Sequence, residues 1–151
     1  MPINRGVSFQ ALSGSPETTG SYGFALGSVL IKGDVVYIYG DIGAGKTVFV
    51  SGIASALGID GYITSPTFAI ANTYVGSATL HHFDAYRIES PDEFMETGFF
   101  DFAGGDCIVA VEWAERLGGY KPERCVTVRI DFVDGCETDR LINIEFTEIQ
   151  E

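Results

Sequence analysis

"DVVYIYGDIGAGKTVFV", residues 34–50, decides the fold. Its first part, 34–40, is a nearly continuous apolar run ending in glycine, the signature of a strand buried on both faces of a parallel sheet. Its middle, "GDIGAGKT" (40–47), matches G-x-x-x-x-G-K-[ST] in full. From 46 onward Val50, Ile53, Ala54 and Leu57 recur at helical spacing, and Gly58 supplies a stop. Strand, glycine-rich turn and helix are the context that a phosphate-binding loop requires. Residue frequencies alone produce such a match by chance on the order of 0.5% of the time, before strand and helix are asked for.

The chemistry follows from the residue types. Gly40, Gly43 and Gly45 permit backbone turns forbidden to side chains, so successive N–H groups converge on a phosphate. The helix N-terminus adds about half a positive charge. Lys46 reaches the outer phosphates, and the Thr47 hydroxyl is offered to Mg²⁺. The expected cradle is Asp41, Ile42, Gly43, Ala44, Gly45, Lys46 and Thr47.

Around this centre the chain reads as alternating strands and helices. "VSFQA" (7–11) alternates as a short strand. Ser15 and Pro16 open a helix over 15–30, in which Gly20, Gly23 and Gly27 each cost about 1 kcal/mol against alanine, so the helix must rely on packing. "TFAIANTYV" (67–75), "TLHHFDAYRI" (79–88) and "CIVAVEW" (107–113) read as strands, with a short helix from Ser90. "VTVRIDFV" (126–133) and "LINIEF" (141–146) flank the turn-rich "DGCETD" (134–139) and predict a hairpin. No linker, repeat or low-complexity tract divides the 151 residues. The expected class is α/β: a single domain with a P-loop NTPase-like three-layer fold, a mostly parallel central sheet and a C-terminal antiparallel hairpin.

Hydrolysis or transfer needs carboxylates to hold a metal and orient a nucleophile, and open parallel sheets place these at strand C-termini. Two strands end suitably, "IVAVE" in Glu112 and "LHHFD" in Asp84. Either serves the metal while the other aligns water; the plain alternative for each is a capping or solvated carboxylate. "TSPTF" (64–68) places three hydroxyls on a segment stiffened by Pro66, either a polar turn or a loop that contacts the terminal phosphate. Packing alone assigns the single tryptophan, Trp113, to the core. The adjacent His81 and His82 are the chain's two histidines, and strand alternation turns them to opposite faces, His82 with Asp84 and Tyr86, His81 with Phe83 and Ala85. A shared zinc site is therefore not expected.

The net charge of −12 argues against direct binding of a bare polyanion such as RNA, and reads either as solubility or as an acidic face for a basic partner. Cys107, Cys125 and Cys136 lack CxxC spacing and read as reduced thiols filling the core of a cytoplasmic protein. The N-terminus has no signal-peptide layout, and no apolar run is long enough for a membrane helix.

With "GDIGAGKT", "TSPTF", "HFDAYRI", "TGFFDF" and "VEWAER" in this order, the sequence resembles the TsaE family, the ATPases of bacterial tRNA threonylcarbamoyladenosine biosynthesis. The likeness carries motifs from about Ser15 to Arg116 and continues more loosely through the final hairpin. It implies ATP and Mg²⁺ as ligands, and TsaD and TsaB as partner proteins in modifying adenosine 37 of tRNA. It further implies that hydrolysis drives the cycle of the complex and not the transfer itself, with no strong direct tRNA binding by this chain. By the same likeness Lys46 and Thr47 serve the loop, Thr67 lies in the switch-like segment, Asp84 and Glu112 are the carboxylates, and Trp113 sits beside the site. The chain departs from the usual family pattern at Ser51, Thr73 and Ala85.

The mechanism these readings support is Mg²⁺-dependent hydrolysis of the β–γ bond of ATP, with Lys46, Asp84 and Glu112 as the catalytic set and Thr47, Glu112 and Asp84 serving the metal. No arginine finger is evident, so partners are expected to activate the chain. The alternatives are a small-molecule kinase, which lacks an arginine-rich lid here, and a non-hydrolysing ATP-binding assembly factor, against which the strand-end carboxylates speak. "DFAG" (101–104) imitates a GTPase DxxG loop, but the sequence has no NKxD motif.

Overall fold

The computed structural model describes residues 8–61, 63–64 and 71–147. In chain order the elements are β1 (Ser8–Ser13), α1 (Pro16–Gly27), β2 (Val35–Tyr39), α2 (Lys46–Ala56), β3 (Ala71–Val75) and β4 (Thr79–Asp84). They continue with α3 (Pro91–Met95), α4 (Phe99–Phe102), β5 (Ile108–Glu112), a single 3₁₀ turn (Ala114–Leu117), β6 (Cys125–Val133) and β7 (Cys136–Phe146). The strands form one sheet in the order β1-β7-β6-β2-β5-β4-β3. Its four central strands, β6, β2, β5 and β4, are parallel, and the flanking pairs β1–β7, β6–β7 and β3–β4 are antiparallel.

Two apolar clusters on opposite sheet faces make the architecture three-layered. One joins Val36, Ile38, Leu80, Ile108, Ala110 and Val128 to α1 and α2 through Leu26, Phe49, Val50 and Ile53. The other joins Val35, Tyr37, Phe83, Val109 and Val111 to α3, α4 and the 3₁₀ turn through Phe94, Phe99 and Leu117. β2 and β5 feed both clusters by simple alternation, which is why their sequences are continuous apolar runs. Cys107 and Cys125 fill the second cluster as expected; Cys136 does not, being half-buried on the hairpin.

Glycine lets α1 and α2 approach closely. A Cβ on Gly23 would stand 2.1 Å from the Phe49 carbonyl oxygen, and one on Gly52 would stand 2.1 Å from that of Gly20. The helix propensity lost in α1 is thus exchanged for backbone-to-backbone packing that seats α2, whose first residue is Lys46.

Among the boundaries that differ from expectation, the helix expected over 15–30 ends at Gly27 and the first strand runs to Ser13, and three others bear on the site and the hairpin. The strand expected over 79–88 ends at Asp84, because the Asp84 carboxylate accepts the Tyr86 N–H at 2.9 Å and turns the chain; Tyr86 therefore does not share the strand face of His82 and Asp84. The strand expected over 67–75 is seen from Ala71, residues 67–70 lying outside the described residues. The turn expected over 134–139 shrinks to Asp134–Gly135, since Val133 pairs with Cys136 and Asp-Gly suits a two-residue hairpin turn. Phe132 then faces Arg140, so residues 137–139 bulge from the ladder.

Candidate functional site

Because β2, β5 and β4 are parallel neighbours, the segments leaving their C-terminal ends gather on one edge of the sheet. The loop "GDIGAGKT" leaves β2, Glu112 ends β5 and Asp84 ends β4. Asp84 and Glu112 are register partners, and alternation puts both on the sheet face that carries α2. Ile42, Gly43, Gly45, Lys46, Thr47, Val48, Asp84, Glu112 and Trp113 line a cleft of ≈ 350 Å³. A separate cleft of ≈ 340 Å³ between α1 and the β1–β7 edge is lined almost wholly by apolar side chains and holds no charged group, whereas Lys46, Asp84 and Glu112 line the first.

Each group in the first cleft has an identifiable setting. Gly45, at φ 110°, is the left-handed residue that starts α2, and Gly43 at φ 81° bends the loop before it. The Lys46 ammonium donates to the carbonyls of Gly40 (2.6 Å) and Asp41 (2.9 Å) and lies 4.0 Å from the Trp113 ring centroid. Burial lowers the Lys46 pKa, while the charges of Glu112, Glu115 and Asp84 oppose that shift. Thr47 Oγ1 donates to the Glu112 carboxylate, 3.1 Å from each oxygen. Burial raises the Asp84 pKa, and the negative charge of Glu112 raises it further against the Tyr86 N–H.

Trp113 is half-buried and, among the described residues, is the one non-glycine in the left-handed region, at φ 59° and ψ 41°. Such a conformation persists only where its surroundings hold it. The Lys46 ammonium and the Tyr86 ring, 4.9 Å away between centroids, pack on the indole. Trp113 thus packs against the second core cluster, as packing alone suggested, and its ring also borders the cleft.

The structure thus brings Lys46, Thr47, Asp84 and Glu112 together with the loop residues. Of the expected cradle, Asp41 contributes its carbonyl to Lys46, and the Ala44 side chain turns into the core. Thr67, with residues 65–68 of the "TSPTF" stretch, lies outside the described residues. Ser51 Oγ donates to the Thr47 carbonyl, and Thr73 meets His81 across β3 and β4 at 2.9 Å.

Two residues join the site that sequence reasoning did not place there. His82, fully buried, contacts Glu112 through Nε2 at 2.5 Å. His81, on the other face, stacks on Phe102, with ring centroids 4.0 Å apart. Alternation put His82 beside Asp84, but its partner depends on the β4–β5 register, which no local pattern encodes. Arg140, from β7, reaches the outer side of the loop at the Ala44 carbonyl.

The oxygen donors suit a small hard cation. Mg²⁺ is commonly held by one or two carboxylates, with substrate phosphates and water completing its shell. The Thr47 hydroxyl already faces both Glu112 oxygens, so the residues fit such an ion. Among the described residues no group of three or more His, Cys, Asp or Glu side chains converges as a metal cage. Among the same residues no helix is long and apolar enough to cross a membrane.

Comparison with known proteins follows the same outline. The family described as "Threonylcarbamoyl adenosine biosynthesis protein TsaE" matches residues 13–142. The chain is 39% identical over 121 residues to the tRNA threonylcarbamoyladenosine biosynthesis protein TsaE of Treponema pallidum, spanning 80% of this chain and 90% of that one. With the Haemophilus influenzae protein of the same name it shares 36% over 112 residues, 74% of this chain and 71% of that one. The crystal structure of YdiB from Bacillus subtilis superposes with a TM-score of 0.75 at 28% identity, covering 95% of this chain and 87% of that one.

Proposed function

The chain belongs to the TsaE family, whose members are named for tRNA threonylcarbamoyladenosine biosynthesis, and on that premise we propose that it is a Mg²⁺-dependent ATPase of that pathway. The observation that carries the reading is the Thr47 hydroxyl facing the Glu112 carboxylate at 3.1 Å at the start of α2, with Asp84 in register beside Glu112. A bare anion-binding loop needs neither carboxylate. A site that cleaves the β–γ bond needs both a metal ligand and a group that orders water.

In this reading the backbone amides of 43–47 and the Lys46 ammonium bind the phosphates and stabilise the charge that develops on them. Lys46 exchanges the carbonyls of Gly40 and Asp41 for phosphate oxygens. Thr47 and Glu112 hold Mg²⁺, with Asp84 ordering its shell or the attacking water. When bound, the ion neutralises charge on the outer phosphates. His82 and Thr47 fix the Glu112 carboxylate between them. Trp113 walls the lysine side of the cleft.

The partners proposed are TsaD and TsaB, with hydrolysis driving the cycle of their complex on adenosine 37 in the cytoplasm and not the carbamoyl transfer itself. The net charge of −12 suits docking on protein better than on tRNA. Phosphate release should be measured with the co-purified complex and with the chain alone. Lys46→Ala and Glu112→Gln should each lose at least about a hundredfold in rate in the complex. Wild-type turnover by either variant would sink the assignment.

A further inference from the structure

The phosphate loop is held from outside by a residue of the C-terminal hairpin. Arg140 donates from Nε to the Ala44 carbonyl at 3.2 Å and from one terminal nitrogen to the Gly43 carbonyl at 3.5 Å. Its other terminal nitrogen donates to the carbonyls of Glu137 (2.8 Å) and Asp139 (2.9 Å). The guanidinium carbon lies 4.4 Å from the Phe132 ring centroid. The bulge over residues 137–139 puts Arg140 opposite Phe132, so the irregularity in the ladder aims this side chain at the loop. None of its four hydrogen-bond partners is a carboxylate.

We propose that Arg140 is a positioning residue for phosphate binding, acting through the loop's own peptide groups; this rests on the nucleotide-site reading above. The carbonyls of Gly43 and Ala44 share peptide units with the N–H groups of Ala44 and Gly45. A cation bonded to the carbonyl end of a peptide polarises it and makes its N–H a stronger donor. The planar fork spans two successive carbonyls of the loop while its other terminal nitrogen holds those of Glu137 and Asp139, a set of four bonds that exceeds the three donors of a lysine ammonium. Arg140 therefore fixes the outward turn of these carbonyls and strengthens above all the Gly45 amide, since the Ala44 N–H is bonded to the Asp41 carbonyl at 3.0 Å. No arginine need enter the cleft for this chain to bring a guanidinium to bear on the phosphates. The contact also ties the bulged hairpin to the loop.

The test compares wild type with Arg140→Gln, Arg140→Lys, Phe132→Leu and Lys46→Ala. Affinity for ATP and for ADP is read by titration calorimetry, and the Ala44 and Gly45 amides are followed by NMR. Arg140→Gln should weaken both nucleotides about tenfold and move the Gly45 amide proton upfield. Arg140→Lys should recover only part of the loss. Phe132→Leu, which leaves the carbonyl contacts in place, should bind within about twofold of wild type. Unchanged affinity in both Arg140 variants, or a loss in Phe132→Leu equal to that in Arg140→Gln, would overturn the proposal. If Lys46→Ala also binds ATP like wild type, the nucleotide-site reading has failed as well. A loss in Lys46→Ala alone overturns only the role of Arg140.

Discussion

Gly20 and Gly23 sit three residues apart in α1, and alanine should act oppositely at the two positions. Both substitutions gain about 1 kcal/mol of helix propensity. At Gly20 a new Cβ meets nothing closer than 3.8 Å, so that gain should survive. At Gly23 the new Cβ would lie 2.1 Å from the Phe49 carbonyl oxygen, 3.0 Å from its carbon and 3.3 Å from the Gly52 Cα. All three are backbone atoms of α2 and cannot rotate away. Ordinary carbon–oxygen contact requires the helices to part by about 1 Å, a gap that forfeits a quarter to a half of each dispersion well along the seam. Overpacking of this kind typically costs about 1–3 kcal/mol, and a rigid backbone obstacle belongs at the upper end. Less the propensity gain, Gly23→Ala should therefore lose about 2 kcal/mol net, while Gly20→Ala gains about 0.5–1. At roughly 2–4 °C per kcal/mol for a chain of this size, Tm should fall by about 4–8 °C in the first and rise by about 1–4 °C in the second. Calorimetry on both variants reads this directly. Because Phe49 follows Lys46 by less than one turn, the displaced helix should also weaken ATP binding in Gly23→Ala but not in Gly20→Ala. A Gly23→Ala protein as stable as Gly20→Ala would show that the two helices do not meet backbone to backbone.

Other consequences concern the cleft. Asp84→Asn should abolish phosphate release in the complex yet raise Tm at neutral pH, because burial raises the Asp84 pKa above its ordinary 3.8. Between those two values the native state holds more protons than the unfolded chain, so this residue's contribution to stability falls as pH rises through the window. The advantage of Asp84→Asn should accordingly fade below about pH 3.8, where Asp84 is neutral in both states, and melting curves from pH 3 to 7 would show it; an advantage constant across that range refutes the sign. His82→Leu removes the buried hydrogen-bond partner of the Glu112 carboxylate and should cost about 1–3 kcal/mol, read by urea unfolding. ATP should change the emission of Trp113 by drawing away the ammonium that lies 4.0 Å from its ring, and Lys46→Ala should abolish that response.

What the sequence disclosed depended on whether the signal was local. The buried strand β2, the loop and the start of α2 were legible because composition, glycine placement and periodicity agree within 34–50. Ser15 and Ser90 were legible as helix starts, and each accepts a backbone N–H as a cap, from Thr18 and Glu93. The glycines of α1 announced a need for close packing without naming α2 as the partner. Residue type pointed Trp113 to the core, which it does pack against, but could not show its place at the cleft, because its left-handed backbone and its ammonium neighbour belong to the turn after β5. Arg140 had no local mark at all, since its reach to Ala44 depends on a three-residue bulge and a sheet order that brings β6 beside β2.

The two carboxylates show how far such signals go before topology must supply the rest. Asp84 and Glu112 were each visible as a charge closing an apolar run, and neither run specifies the other. They become one site because β4 and β5 are parallel and paired so that Leu80 meets Ile108 and Asp84 meets Glu112. Shifting β4 by one residue in this register would turn Asp84 and His82 to the opposite sheet face, toward Phe94 and Phe99. The apolar residues set that register: Leu80 belongs with Ile108 beneath α2, and Phe83 with Val109 and Val111 beneath α3 and α4. Core packing on both faces of β4 thus fixes where its terminal carboxylate emerges. The site at the sheet edge is specified by hydrophobic residues that never touch a ligand.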